Sequence, residues 1–326
     1  MSDYLAEIRK PIEREMKQFD ALFNDSLSHC EGVLNHALDY IRKRTGKRMR
    51  PMLTMLVARN FGTPNDATFK GGVGLELLHT ASLVHDDVVD HADLRRGHSS
   101  VNHLYDNRIA VLVGDYILST ALLNVSATNN IAIVDIISRL GQTLSNGEIL
   151  QITSNASDAI SEEDYYRVIL QKTAALFEAC CTIGAISVGA SEDDIEASRE
   201  FGKKVGLMFQ IKDDIFDYSD SAEIGKPTGN DMREGKLTLP AIHALLSTQD
   251  KEMLAIAQRV KSLSASPEDI ARLVAFTKQN GGIEYAEKAM HRLHDEALLF
   301  ISERVGEQTL KNSLHSYLDF IIQRTL

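Results

Sequence analysis

Apolar residues recur at spacings of three and four along almost the whole chain, through Ile12 to Leu27, Val33 to Ile41, Met52 to Phe61, Val73 to Val89, Ile109 to Leu123 and Ile131 to Ile152. The same period continues through Tyr165 to Val188, Ile195 to Phe216, Leu239 to Leu246, Met253 to Leu263, Ile270 to Phe276, Ile283 to Ile301 and Leu310 to Ile322. That is the period of helices with one buried stripe, and no convincing alternating strand interrupts it. Punctuation is light. Pro51 and Pro240 fall just inside helix starts, and joints are expected at residues 62–66, Asn129-Asn130 and Gly281-Gly282. No composition shift marks a linker, so the chain reads as one all-α domain over 1–326. The longest irregular stretch is Ser219 to Leu239, and long ordered loops are usually functional.

Two acidic boxes of one form break the apolar pattern: Asp86-Asp87-Val88-Val89-Asp90 and Asp213-Asp214-Ile215-Phe216-Asp217. On a helix, His79, Leu83, Asp86 and Asp90 fall on one stripe with Asp87 beside them, and Gln210, Asp213, Asp214 and Asp217 form a second. A lone acidic box is ordinarily a solvated face. Carboxylates within helices that are apolar on their other sides must instead project into a cavity that holds cations. Oxygen-only donors in this number suit Mg²⁺, which keeps much of its water and is shared between one or two carboxylates and substrate phosphates. Basic residues accompany both boxes: Lys47 and Arg50 upstream, Arg95 and Arg96 just after the first, then Lys172, Lys226 and Lys236. Such a set can grip a diphosphate through Arg forks and Lys point charges. Gly202 and Gly206, one turn apart, permit close approach of another backbone.

Composition narrows the partners. With a formal charge of −11 over 326 residues, most of the surface repels nucleic acid. Cys30, Cys180 and Cys181 make neither a disulfide framework nor a metal site, so a reducing cytoplasm is the default location. The opening Met1-Ser2-Asp3-Tyr4 begins a charged amphipathic stretch rather than a signal peptide, and no membrane span is expected.

Five elements in order resemble the all-trans polyprenyl diphosphate synthases: Gly46-Lys47-Arg48-Met49-Arg50-Pro51; His79 with the first box; Arg95-Arg96-Gly97; Lys172-Thr173; and Phe209-Gln210-Ile211-Lys212 with the second box, leading to Gly225-Lys226. The resemblance implies an isoprenoid-synthase helical bundle in which Mg²⁺ bridges the boxes. It implies that an allylic diphosphate ionises and that isopentenyl diphosphate attacks the cation, lengthening the chain by one unit. By that likeness Asp86, Asp87, Asp90, Asp213 and Asp217 are metal positions, with Asp214 an outer member. Lys47, Arg50, His79 and Arg96 look like the isopentenyl diphosphate site. Arg95, Lys172, Thr173, Gln210, Lys226 and Lys236 look like the allylic site. The family usually forms homodimers, and Ile109 to Leu123 is a candidate face.

Other functions fit less well. A class I terpene cyclase generally lacks the second aspartate box and the separate contacts of Lys47, Arg50 and Arg96. A non-catalytic partner subunit would have eroded boxes, and a ferritin-type di-metal protein would show Glu-x-x-His pairs. The expected product is long, octaprenyl or a neighbour from hexaprenyl to decaprenyl, with a geranylgeranyl synthase or the catalytic subunit of a heteromer as the alternative. The basis is small residues at Ala81 and Ser82, where short-chain relatives carry bulky aromatics. Ser82 lies one turn deeper than Asp86 and about 40° from it; Ala81 is carried over from the family. The tunnel floor is expected among Leu118, Leu122 and Val125. Ser82→Phe is expected to shorten the product without abolishing turnover, and an unchanged product-length distribution would remove this assignment.

Overall fold

The computed structural model describes residues 2–28, 31–44, 46–95, 97–218 and 228–324. Cys30, Arg96 and Lys226 lie outside them. The fold is all-α, as the sequence pattern requires. The helices are α1 (Ser2–Arg9), α2 (Glu13–Ser26), α3 (Gly32–Arg42), α4 (Met49–Phe61), α5 (Asp66–Val89), α6 (Val101–Leu104), α7 (Asn107–Ser126), α8 (Ile131–Ala156) and α9 (Glu162–Ile169). A five-residue π-helical segment, Leu170–Ala174, joins α9 to α10 (Ala175–Ser187). Then follow α11 (Glu192–Phe216), α12 (Asn230–Arg233), α13 (Leu239–Thr248), α14 (Lys251–Lys261), α15 (Pro267–Gln279), α16 (Gly282–Arg304) and α17 (Gln308–Gln323). Contrary to the strand-free expectation, a two-residue hairpin, β1 (Leu94–Arg95) with β2 (His98–Ser99), follows the first acidic box. It is too short to carry a period, and Gly97 at φ +76° is its main sequence signal.

Local chemistry starts the helices where the periodicity places them. Asn65 caps α5 with a reciprocal Thr68 bond, Asn130 caps α8, and Ser191 caps α11. The two long acid-bearing helices, α5 and α11, pack through close backbone approaches. A Cβ on Gly206 would sit 2.5 Å from Ala174 Cα, and one on Gly202 would collide with the Phe177 carbonyl oxygen, so any side chain there forces α11 off α10. Gly202 and Gly206 are therefore the packing residues their spacing suggested. The core runs through both helices, with Phe19, Phe23, Phe177, Phe201, Tyr317 and Phe320 among its largest buried members. Cys180 and Cys181 are buried in it, and burial pushes the Cys180 thiol up to about 12, which leaves it inert.

One expectation about apolar length is corrected. By length and composition, Asn107–Ser126 and Glu162–Ser187 are both long and apolar enough to cross a membrane, with 39% and 67% of their most apolar stretches buried within the fold. The second is the core run of α9 and α10. The first, α7, packs one face on α5 and presents Leu112 and Leu123 on the other, 62% and 72% exposed.

Candidate active site

The C-terminal ends of α5, α8 and α11, the π-helical segment and the α12–α13 connection carry the site. Helix α5 ends at Val89 with Asp90 as its C-cap, so the first box occupies the last turn, where the helix dipole already adds negative character. Asp87 turns away from Asp86 and Asp90 into the hairpin: its side chain is buried, Arg95 Nε donates to its Oδ1 at 2.5 Å, and Asn102 holds its carbonyl. Burial raises the Asp87 carboxyl and Arg95 pulls it back. Asp86 faces the other way. Burial, reinforced by Glu148, pushes it up to about 6 against the nearby charges of Lys172 and Arg95.

The second box repeats the arrangement. Asp214 lies in the core, its Oδ2 accepting from Tyr165 at 2.5 Å and its Oδ1 from Gln210 Nε2 at 2.8 Å. Burial raises it above the ordinary carboxylate range, against the hydrogen bonds from Tyr165 and Gln210 that lower it. Thr173 Oγ1 donates to Gln210 at 2.7 Å, tying the π-helical segment to α11. Asp213 instead meets Arg324, whose Nη2 lies 2.5 Å from its Oδ1 and 2.8 Å from the Phe209 carbonyl. Asp217 accepts from the backbone of Asn230 at 2.7 Å and Asp231 at 3.2 Å, so it caps α12. In each box the middle acid is an anchor, which explains why Asp87 and Asp214 differ from the outer members expected from their spacing.

Lys172 Nζ lies 2.6 Å from Glu148 Oε1 and 2.9 Å from Gln151 Oε1. Across the site, Lys236 Nζ donates to Glu234 at 2.6 Å; burial would lower it, but Glu234, Asp90 and Asp231 together raise it. Asp231 is itself pushed up to about 7 by burial and by Asp217. One lysine thus answers to Asp90 of the first box and to Asp231 beside the second. Arg50, His79 and Lys47 form a separate basic group. Arg50 Nη1 lies 2.9 Å from His79 Nε2, with its guanidinium over Phe177, and Lys47 reaches over Phe320. Arg324 stacks 3.9 Å from the Phe209 ring, close enough for its charge and that of Arg50 to repel.

Among the described residues, no three His, Cys, Asp or Glu side chains stand close enough to chelate a metal unaided. The donor set still fits Mg²⁺, because that ion is typically completed by water and substrate phosphates. Burial is the main cause of the upward shift at both Asp86 and Asp217, and nearby cations, Lys172 and Arg95 at the first and Arg233 at the second, only partly offset it.

Ser82 and Ala81 lie below the first box, Ala81 buried and Ser82 bonded to the His79 carbonyl. Helices α5 and α8 run side by side in the same direction, matched at three levels. Asp86 faces Glu148 at the top. A Cβ on Gly141 would lie 3.9 Å from Leu78, and one on Gly71 would lie 3.4 Å from Ile133 and 2.9 Å from Ile183. Between the two helices a Cβ would be in ordinary contact at Gly141 and crowded at Gly71. Leu122, expected near the tunnel floor, is 48% exposed on the outer face of α7, while Val125 packs toward Gly74.

Glu148, Gln151, Asp231 and Arg324 were not anticipated. Glu148 and Gln151 are polar residues three apart inside an apolar helix, a signal that was present; Arg324 and Asp231 reach the site only through tertiary folding.

The sequence model of the polyprenyl synthetase family matches residues 31–276. This chain belongs to that family. It is a trans-prenyltransferase that makes polyprenyl diphosphates. It is 35% identical over 242 residues to an octaprenyl diphosphate synthase of Escherichia coli, covering 74% of this chain and 75% of that protein. A geranylgeranyl pyrophosphate synthase from Bacteroides thetaiotaomicron superposes with a TM-score of 0.87 at 44% identity, covering 99% of this chain and all of the other. A Caulobacter crescentus polyprenyl synthase, complexed with calcium and isoprenyl diphosphate, gives a TM-score of 0.90 at 28% identity over 98% of each chain. Divalent metal use is consistent with that neighbour.

A divalent cation held by Asp86 would compete there with protons. A carboxyl raised in the folded state stabilises the metal-free fold below its ordinary value of 3.8 and loses that contribution as pH rises through about 6. The thermal midpoint gained on adding Mg²⁺ is therefore expected to be larger at pH 7.5 than at pH 5.5, and the Mg²⁺ concentration for half-maximal activity is expected to rise as pH falls. Equal gains at both pH values would contradict this.

Proposed function

We propose that this prenyltransferase condenses isopentenyl diphosphate with an allylic diphosphate, such as farnesyl or geranylgeranyl diphosphate, to give a long all-trans product of octaprenyl length or near it. The whole chain acts as one catalytic domain. Support comes above all from Lys236, which responds to Asp90 of one box and Asp231 beside the other, as it would if both bordered one diphosphate. Asp86, Asp90, Asp213 and Asp217 are the carboxylates that would hold Mg²⁺, with Asp87 and Asp214 orienting them. Bound there, Mg²⁺ supplies Lewis-acid charge neutralisation of the leaving diphosphate.

The protein's own part is grip and exclusion. Lys172, Arg95 and Lys236 donate to the allylic diphosphate, with Lys226 added by family likeness, and Thr173 and Gln210 fix the wall behind it. Moving Lys172 off Glu148 and Gln151 onto phosphate oxygens exchanges one anion for a stronger one. Lys47, Arg50 and His79, with Arg96 by likeness, hold isopentenyl diphosphate so that its double bond faces the allylic carbon. The apolar walls keep water from the cation, and the released diphosphate can take the proton, so no protein base is needed. The growing tail passes Ser82 and then Gly141 on its way down the α5–α8 groove. A synthase that stops at geranylgeranyl length is the second reading, favoured by the narrowing at Gly71, Ile133 and Ile183. A cytoplasmic enzyme feeding a lipid pathway is the setting that fits.

Incubation with labelled isopentenyl diphosphate, farnesyl diphosphate and Mg²⁺, followed by hydrolysis and chain-length analysis, tests this directly. Elongated linear prenols are expected, and cyclised or unchanged primer would overturn it. Asp86→Ala should lower turnover by about 10²–10³, the scale for losing one transition-state electrostatic contact.

Homodimerisation is part of the proposal. Val111, Leu112, Leu122 and Leu123 make an exposed apolar stripe on α7, and a patch of this kind is rarely left bare on a soluble monomer. A two-fold partner would bury it against its own copy. Leu112→Glu with Leu123→Glu should give a monomer by sedimentation velocity; an unchanged species would place the contact elsewhere.

A further inference from the structure

Within the Lys47-Arg48-Met49-Arg50 segment, Arg48 has no part in the chemistry above, yet it is the most deeply buried of the three cations. Its residue is 7% exposed, and its backbone sits at φ +57° as the N-cap of α4. A side-chain-bearing residue rarely adopts that left-handed region, so its surroundings must enforce it. They do so from two other helices. Arg48 Nη1 donates to Glu76 Oε1 on α5 at 3.1 Å, its Nε lies 3.5 Å from Asp20 Oδ1 on α2, and its guanidinium stacks 3.9 Å from the Phe23 ring.

The geometry around this pair is a ladder with two rungs between the start of α4 and the middle of α5. One rung is Arg48 to Glu76. The other, two residues on in α4 and three residues on in α5, is Arg50 to His79 at 2.9 Å. The left-handed turn sends the Arg48 side chain inward toward α2 and leaves Lys47 exposed over Phe320. Glu76 is 13% exposed, and its Oε2 has no hydrogen-bond partner among the described residues. A buried ion pair with spare capacity of this sort is poor at adding stability, since apolar residues of similar volume commonly do as well. What it fixes is register.

We propose that Arg48 and Glu76 form a positioning clamp that sets Lys47 and Arg50 against His79, and that the clamp determines affinity for isopentenyl diphosphate in particular. The inference rests on the proposed assignment of that subsite. The allylic side, built on Lys172, Lys236 and the acidic boxes, shares α5 with this ladder at Asp86 and Asp87, but these lie ten or more residues beyond Glu76, at the C-terminal end of the helix.

The test is steady-state kinetics of Arg48→Met, of Arg48→Lys, of Glu76→Gln and of the double variant Arg48→Met/Glu76→Leu, with thermal midpoints measured alongside. The double variant removes both charges and guards against simple misfolding. The expected result is a KM for isopentenyl diphosphate raised about 10- to 100-fold, the scale of small misplacements in a binding site. The KM for farnesyl diphosphate should stay near the parent value, the double variant should keep a near-parent thermal midpoint, and Arg48→Lys should recover part of the loss. Parallel rises in both KM values, or an unchanged KM for isopentenyl diphosphate in the double variant, would overturn the clamp. Failure of the parent protein to elongate farnesyl diphosphate would instead overturn the functional reading on which it rests.

Discussion

Too many carboxylates share too little water at the heart of this bundle, and most of the surrounding architecture answers that constraint. Asp86, Asp217 and Asp231 all sit above the ordinary carboxylate range because burial opposes ionisation, with Glu148 adding to it at Asp86, Glu234 at Asp217 and Asp217 at Asp231. Four of the described cations nearby are engaged by acids: Arg95 by Asp87, Lys172 by Glu148, Lys236 by Glu234, Arg324 by Asp213. The site is therefore a set of loosely satisfied charges. A metal with a diphosphate can rearrange them at small cost, because every ion pair broken is replaced by one of higher charge.

The two boxes meet this constraint in the same way. In each, the second aspartate is withdrawn from the set and used as structure, Asp87 against the hairpin and Asp214 between Tyr165 and Gln210. That leaves acids at i and i+4, one helical turn apart on one face. The basic group of Lys47, Arg50 and His79 lies apart from them, joined through Arg324 and the aromatic rings of Phe177 and Phe209. Under the proposed assignment, these two charge groups would serve the two substrates separately.

Much of this was legible in the sequence. Most helix ends fell within a few residues of the periodic runs because apolar period, Asn and Ser caps and Gly or Pro joints agreed with one another, although α5 begins seven residues before the run expected from Val73. The acidic boxes were legible because charge inside an apolar stripe is too costly to bury unless cations meet it there. The inward turn of Asp87 and Asp214 was not, since Arg95 reaches Asp87 only through the short hairpin and Tyr165 reaches Asp214 from another helix. Glu148 could have been found by the reasoning applied to the boxes; a single acid simply carries less weight than three. Arg324, at the far end of the chain, offered no pattern at all.

The run from Glu162 to Ser187 looks in sequence like one uninterrupted helix, and the structure threads a π-helical turn through it at Leu170–Ala174. Such a turn acts as one surplus residue in an otherwise regular coil. It lets Tyr165 upstream and Phe177 downstream both keep their seats in the interior while Lys172 reaches Glu148 and Thr173 reaches Gln210. Deleting a single residue here would leave composition and hydropathy almost unaltered. It would nonetheless swing everything on one side by about 100°, forcing the chain to choose between an intact interior and a lysine within reach of its substrate.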